Sequence, residues 1–211
     1  MSARVAVLIS GSGTNLQALL DASADGHPAD IVLVVSDRHK ARGLQRARDR
    51  GIPTAVLLKR DFESRRAYDR ALVDVLREHQ VSWVALAGFM RLVTSVLLDA
   101  FPMHVINIHP ALLPAFPGLH AQRQALEHGT KITGATVHFV DDGTDTGPII
   151  VQSAVPVLAT DDLEALQQRI LRTEHQIYPL ALRWAVEGRL QVEGRQVSVK
   201  GAPPTFLWSG D

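Results

Sequence analysis

Four side chains in the middle of this chain have types and spacing suited to chemistry: Asn107, His109, His138 and Asp145. The first two lie in Val105-Ile106-Asn107-Ile108-His109-Pro110, which reads as a short buried strand with polar residues at its end. Side chains alternate along a strand, so Asn107 and His109 share one face and Ile106 and Ile108 the other. An amide and an imidazole on a core strand are costly without partners or a task. An amide N–H and an imidazolium on one face both donate to a developing oxyanion, and such a donor is worth a few kcal/mol. A carboxylate such as Asp145 favours the charged form of a neighbouring histidine. It also accepts protons released by an attacking amine, directly or through water. No Ser or Cys stands in an elbow-like context nearby, so a covalent acyl-enzyme is not expected. The chemistry implied is direct transfer of an acyl group between two bound substrates.

Each of these residues has a plainer use. A histidine on a core strand commonly serves as a structural hydrogen-bonder, an Asn before a proline loop caps a turn, and an Asp near Gly shapes one. The nine histidines raise the question of a metal. No H-E-x-x-H or comparable close pair is present, so none is expected.

Several elements must position this group. Val5 to Ile9 is a continuous apolar run, as in a parallel strand buried on both faces. Gly11-Ser12-Gly13-Thr14-Asn15 follows, then a helical stretch from Leu16. Strand, glycine turn and helix N-terminus make a ready phosphate site; the plainer reading is a tight βα turn with Thr14 or Asn15 as its N-cap. Leu16 stands where a dinucleotide fingerprint needs its third glycine, and no Gly-Lys-Ser/Thr follows. Strands are expected at 31–36, 54–58 and 83–87, with helices at 41–50 and 64–79 between them. The alternation requires a parallel sheet with helices on both faces and ligands at the carboxyl edge. Strand four ends in Gly88-Phe89-Met90-Arg91-Leu92-Val93, whose exposed-looking Phe, Met and Leu suit a flat apolar ligand, although packing against the following short helix accounts for them more simply. A short helix is expected at 94–100.

Residues 110–118 hold three prolines and a glycine, so they form a stiff loop; either isomer is compatible with Leu113-Pro114. A helix is expected at 119–128, and strands at 133–140 and 148–156 flank an acidic glycine loop at 141–147. Thr160 or Asp161 should cap a long helix running to about Gly188. Residues 190–193 and 195–199 suggest a hairpin.

The chain's 211 residues suit one α/β domain, with a phosphate-binding half at 1–100 and a catalytic half at 101–211. Lys plus Arg equals Asp plus Glu at 22 each, which argues against general nucleic-acid affinity. The apolar start is too short to span a bilayer and lacks signal-peptide anatomy. The absence of cysteine excludes a disulfide framework and a thiolate nucleophile, and fits a reducing, cytoplasmic setting. A monomer and a homodimer are equally compatible with this composition.

Asn107-Ile108-His109-Pro110-Ala111-Leu112-Leu113-Pro114, with Asp145-Thr146-Gly147-Pro148-Ile149, closely resembles the folate-dependent formyltransferase family. Ser10 to Ala18 and Phe116-Pro117-Gly118-Leu119-His120 resemble the branch that formylates a sugar-phosphate amine. The likeness runs from Val5 to about Gly188. It implies a Rossmann-like, mostly parallel sheet and transfer of formyl from 10-formyltetrahydrofolate, as co-substrate, to 5-phosphoribosylglycinamide in purine biosynthesis. By the same resemblance, Asn107 polarises the formyl oxygen, His109 is general acid and oxyanion partner, and Asp145 raises the pKa of His109 and assists proton transfer. His138 supports them from behind. Gly13, Thr14 and Asn15 hold the phosphate and Glu174 contacts the ribotide. Met90, Arg91, Leu92 and Val93 line the folate site, and Arg65 lies near its glutamate tail. Asn107 and the backbone of Asp141, Asp142, Gly143, Thr144 and Asp145 contact the folate. Asp142 stands where many relatives carry Glu or similar, which matters little in a loop that binds by its backbone. Relatives acting on methionyl-tRNA carry an extra C-terminal domain and formyl-folate hydrolases an N-terminal one, so the single-domain length is expected of the ribotide branch. Two alternatives differ in class: a hydrolase of the same fold, which has no phosphate to hold, and a non-catalytic binding module, which needs no acid beside a carboxylate.

Overall fold

The computed structural model describes residues 2–201 and 206–208. Strand β1 (Ala3–Ile9) is followed by helix α1 (Thr14–Ala24), β2 (Ala29–Ser36), α2 (Arg42–Asp49) and β3 (Thr54–Val56). A 3-10 turn at Lys59–Asp61 leads to α3 (Arg65–Glu78), β4 (Trp83–Leu86), α4 (Ser95–Ala100) and β5 (Val105–His109). Next come α5 (Ala121–Glu127), β6 (Ile132–Phe139), β7 (Ile149–Pro156) and α6 (Leu163–Val186). The last described elements are β8 (Leu190–Glu193), β9 (Gln196–Val199) and β10 (Phe206–Trp208).

Eight strands form one sheet in the order β10-β7-β6-β5-β4-β1-β2-β3, and β8 and β9 form the expected hairpin apart from it. Only β6 runs against the others, pairing antiparallel with β5 and β7. The central β1 is wholly buried from Val5 to Ile9, which accounts for its unbroken apolar run. Its even and odd positions feed two cores. Val5, Val7 and Ile9 pack with residues of α1, α2 and α6, while Ala6 and Leu8 pack with α3 and α4. Strand β5 obeys the same parity. Ile106 and Ile108 join the first core and Val105 the second, so Asn107 and His109 extend the Val105 face beyond its apolar cover.

Several expectations need correction. Gly13, not Thr14 or Asn15, is the N-cap of α1, in the left-handed region at φ 70. A Cβ there would stand 2.6 Å from the Gly43 Cα, so only glycine fits where α2 crosses the loop. Asp162 caps α6 by accepting from the Ala165 N–H at 2.8 Å, while Asp161 pairs with Arg169 and accepts from the Leu158 N–H. Strand β3 stops at Val56 and α5 is trimmed to 121–127 because His120 turns left-handed at φ 61. The Leu113–Pro114 peptide is cis. Strand β10 was not expected; it joins the edge strand β7 in parallel.

Tyr178 of α6 is fully buried and lies 2.9 Å from the Leu86 carbonyl and 3.3 Å from that of Ile106. Its hydroxyl ties helix to sheet at the ends of β4 and β5. Tyr178→Phe should destabilise the fold by about 1–2 kcal/mol, lowering the urea midpoint at constant m-value; an unchanged midpoint would remove this tie from the account.

Candidate active site

Register brings the chemical group together. Asn107 is paired with His138 across the β5–β6 ladder and lies level with Leu86 of β4. The loop after β6 then folds back over this face and delivers Asp145. Its Oδ2 is 3.3 Å from His109 Nδ1, and its Oδ1 is 3.6 Å from His138 Nε2. Asp145 Oδ1 also accepts from Asn107 Nδ2 at 3.4 Å, and Oδ2 from the Gly118 N–H at 2.7 Å. The second amide hydrogen of Asn107 points at His138 Nε2, 3.2 Å away. His138 Nδ1 donates to the Phe139 carbonyl at 2.7 Å, and its Nε2 faces both Asn107 Nδ2 and Asp145 Oδ1. The four residues expected to act together are therefore in mutual contact.

The loop geometry that achieves this is locally strained. Asp145 sits at φ 55 and Phe116 at φ 53, both left-handed without being glycine; such backbone costs about 1–3 kcal/mol and persists only where its surroundings impose it. Asp141 Oδ1 supplies part of that imposition, accepting from the Gly143 N–H and the Thr146 hydroxyl. Across the site, the buried Thr136 hydroxyl donates to the Ala111 carbonyl and accepts from the Leu113 N–H, with Gln152 completing the net. Thr136 and Gln152 left no sequence signal, while Phe116 and Gly118 stood in a family motif that gave them no role in the site.

Burial works to raise the Asp145 carboxyl, but His138, the Gly118 N–H and His109 outweigh it and hold it below the usual carboxylate range. For His109 the balance runs the other way. Burial lowers its pKa, and the opposing pull of Asp145 and the Phe116 carbonyl does not restore the ordinary value. Asp145 does raise the His109 pKa, as expected, but at 4% exposure the ring is desolvated enough that the net shift is downward. His109 Nε2 donates to the Phe116 carbonyl at 2.8 Å, so both ring nitrogens already face oxygen.

A cavity of about 260 Å³ opens past the ends of β1 and β4, lined by Ser10 to Asn15 with Arg38, Gly88 and Met90. The loop carbonyls are turned away from it: Gly11 accepts from the Gly43 N–H and Ser12 from Arg46 Nε. The first N–H groups of α1 have no carbonyl of their own helix to bond, which is the anion-binding arrangement expected for Gly13, Thr14 and Asn15. Asn15 Nδ2 donates to Glu174 Oε2 at 2.9 Å, while Asn15 Oδ1 is buried without a partner. Arg38 was missed because an isolated arginine after β2 carries no motif.

The strand-four segment ends in the same cavity through Met90. Met90 and Leu92 are exposed at 53% and 52%, as expected, but Phe89 is buried in the second core. Arg91 stacks on Tyr68 and Val93 is half-buried. Arg65, exposed at the start of α3, is near enough for its charge to act on Asp69 beside this segment. In the acidic loop Asp142, Gly143 and Thr144 are exposed. Among the described residues, no group of three or more His, Cys, Asp or Glu could hold a metal ion, and no helix is long and apolar enough to cross a membrane.

A mostly parallel α/β sheet with an Asn–His–Asp group at its carboxyl edge and a phosphate-type loop after β1 defines a class, and the chain belongs to the formyl transferase family, whose model matches residues 3–182. Within it, the chain is 44% identical over 189 residues to the phosphoribosylglycinamide formyltransferase of Escherichia coli K12, covering 89% of each. It is 53% identical over 188 residues to the trifunctional purine biosynthetic protein adenosine-3 of Drosophila melanogaster, 14% of whose length it spans. The crystal structure of glycinamide ribonucleotide transformylase 1 from Symbiobacterium toebii superposes with a TM-score of 0.93 at 55% identity over 94% of each chain.

Burial pushes the Glu174 carboxyl up to about 7 against Asn15's pull. The folded state therefore keeps a proton that an unfolded chain releases near 4.5, and stability falls as pH rises from there to about 7. The full loss is roughly 3 kcal/mol. Glu174→Gln keeps an acceptor for Asn15 and removes the charge. Its melting temperature relative to wild type should be higher at pH 8 than at pH 5 by on the order of 5 °C; equal differences at both pH values would refute the assignment.

Proposed function

We propose that this chain transfers the formyl group of 10-formyltetrahydrofolate to the amine of 5-phosphoribosylglycinamide, as a single catalytic domain of purine biosynthesis. The observation that carries the reading is the Asp145 carboxylate, shared by Asn107, His109 and His138 one strand away from the glycine-loop cavity. The loop supports a transferase over a hydrolase, since water brings no phosphate to hold. Residues 1–100 contribute the phosphate site and 101–211 most of the catalytic group and the acidic folate loop.

In this reading Gly13, Thr14 and Asn15 take the ribotide phosphate, and Glu174 receives its polar body. Met90, Arg91, Leu92 and Val93, with the backbone of residues 141–145, hold the folate, and Arg65 meets its anionic tail. The amine attacks the formyl carbon and the carbonyl electrons move to oxygen. Asn107 stabilises that oxyanion with the N–H now spent on its long 3.4 Å contact to Asp145. His109 does so with the Nε2–H now spent on the Phe116 carbonyl, so the formyl oxygen displaces that carbonyl. Asp145, ionised, accepts the proton of the attacking nitrogen. Collapse expels the folate N10, which takes up a proton from the same pair, so one proton moves from amine to leaving nitrogen. His138 holds Asn107 in orientation. The substrates are small molecules, the setting is cytoplasmic, the working form is a monomer or homodimer, and neither nucleic acid nor membrane takes part.

Asp145→Asn should keep the Gly118 contact and the Michaelis constant for formyl-folate within a few fold. It should lower kcat by about 10²–10⁴. Steady-state rates with both substrates varied read this out, and near-normal turnover would sink the mechanism. The overall reaction is tested by following formyl-folate loss with and without phosphoribosylglycinamide. Loss that ignores the ribotide would replace the transferase by a hydrolase.

A further inference from the structure

The segment from Gly88 to Thr94 has no regular structure of its own, yet it must present Met90 and Leu92 in a fixed shape. Two anchors hold it. At one end the buried Ser10 accepts the Met90 N–H on its hydroxyl at 2.8 Å. At the other the Asp69 carboxylate, on the second turn of α3 and 2% exposed, takes two bonds on one oxygen. It accepts the Thr94 N–H at 2.6 Å and the Thr94 hydroxyl at 2.8 Å. Between them, the Arg91 guanidinium lies 3.9 Å over the ring of Tyr68, the residue preceding Asp69. A buried carboxylate is expensive unless its bonds are well made. Burial indeed pushes the Asp69 carboxyl up, with Thr94, Arg91 and Arg65 opposing. A fold needing only to cap the short α4 has a cheaper device in the Thr94 hydroxyl, which already accepts the Val96 N–H.

We propose that Asp69 is a positioning residue for the folate substrate: it fixes Thr94, and so the curvature of residues 90–93, without touching the ligand. The inference rests on the reading of that segment as the folate wall. Tyr68 adds to the hold by its ring, not its hydroxyl, which is buried without a partner.

The test is a steady-state comparison of both Michaelis constants, kcat and melting temperature for Asp69→Ala, Asp69→Asn, Thr94→Val and Leu92→Asp. Asp69→Ala should raise the constant for 10-formyltetrahydrofolate by about tenfold, the scale of losing a charged hydrogen-bond pair. That for phosphoribosylglycinamide should stay within about twofold, and kcat at saturation within a few fold. Asp69→Asn keeps one acceptor and Thr94→Val keeps the backbone donor, so both should fall between wild type and Asp69→Ala; they carry the test if the alanine variant does not fold. Equal rises for both substrates, or a lowered melting temperature with an unchanged folate constant, would overturn the proposal. Leu92→Asp separates the two layers. If it leaves the folate constant unchanged, the wall reading itself fails; if it raises the constant while the Asp69 and Thr94 variants do not, only the positioning role fails.

Discussion

A carboxylate that is mostly buried must be surrounded by polar partners, and at Asp145 those partners come from three separate segments. Asn107 and His109 come from β5, His138 from β6, and the Gly118 N–H from the proline loop. No pair of these is close in sequence except the two on β5. Meeting at one carboxylate therefore fixes the β5–β6 register, the return of the acidic loop and the closure of the proline loop together. The left-handed backbone at Asp145 and Phe116 is the local cost of that closure.

The proposed substrate sites inherit their places from the same sheet. The phosphate-type loop leaves β1 and the segment proposed to hold the folate leaves β4, and these strands are neighbours. Ser10 closes the gap, because its N–H donates to the Gly88 carbonyl while its hydroxyl accepts from Met90. The two loops are thus one hydrogen-bonded unit, and the shared cavity is its consequence rather than a chance cleft. Helix α2 turns the loop carbonyls outward through Gly43 and Arg46, which leaves the N–H side for the proposed anion.

Much of this was legible before the fold was seen. Apolar runs such as Val5 to Ile9 announce buried parallel strands, and alternation in Val105 to His109 identifies the polar face. The long motifs around Asn107 and Asp145 pointed to the family. What escaped has a common physical character. Helix caps were misplaced by one or two residues because Gly13 and Asp162 compete with equally good polar neighbours. Thr136, Gln152 and the Phe116 carbonyl act through contacts between distant segments, which no local pattern encodes. Strand β10 escaped because its pairing with β7 depends on an open sheet edge. Phe89 looked like a ligand surface next to Met90, yet it turns inward to the α3 and α4 core.

The protonation of His109 follows from these facts. The strand that makes the ring rigid also removes it from water, and desolvation outweighs the carboxylate beside it. A ring whose charged form burial disfavours keeps its Nε2 proton on the Phe116 carbonyl but does not readily take a second. It can share one that the reaction itself releases, with Asp145 ionised a contact away. In the proposed mechanism Asp145 and His109 are a proton-holding pair whose charge is zero only after the amine has attacked. The positive ring and negative carboxylate so formed attract each other most strongly in the desolvated setting that made the resting ring neutral. Burial thus works against the charged histidine before attack and strengthens its pairing with Asp145 afterwards, so the proton is bound best at the stage where the oxyanion needs a donor.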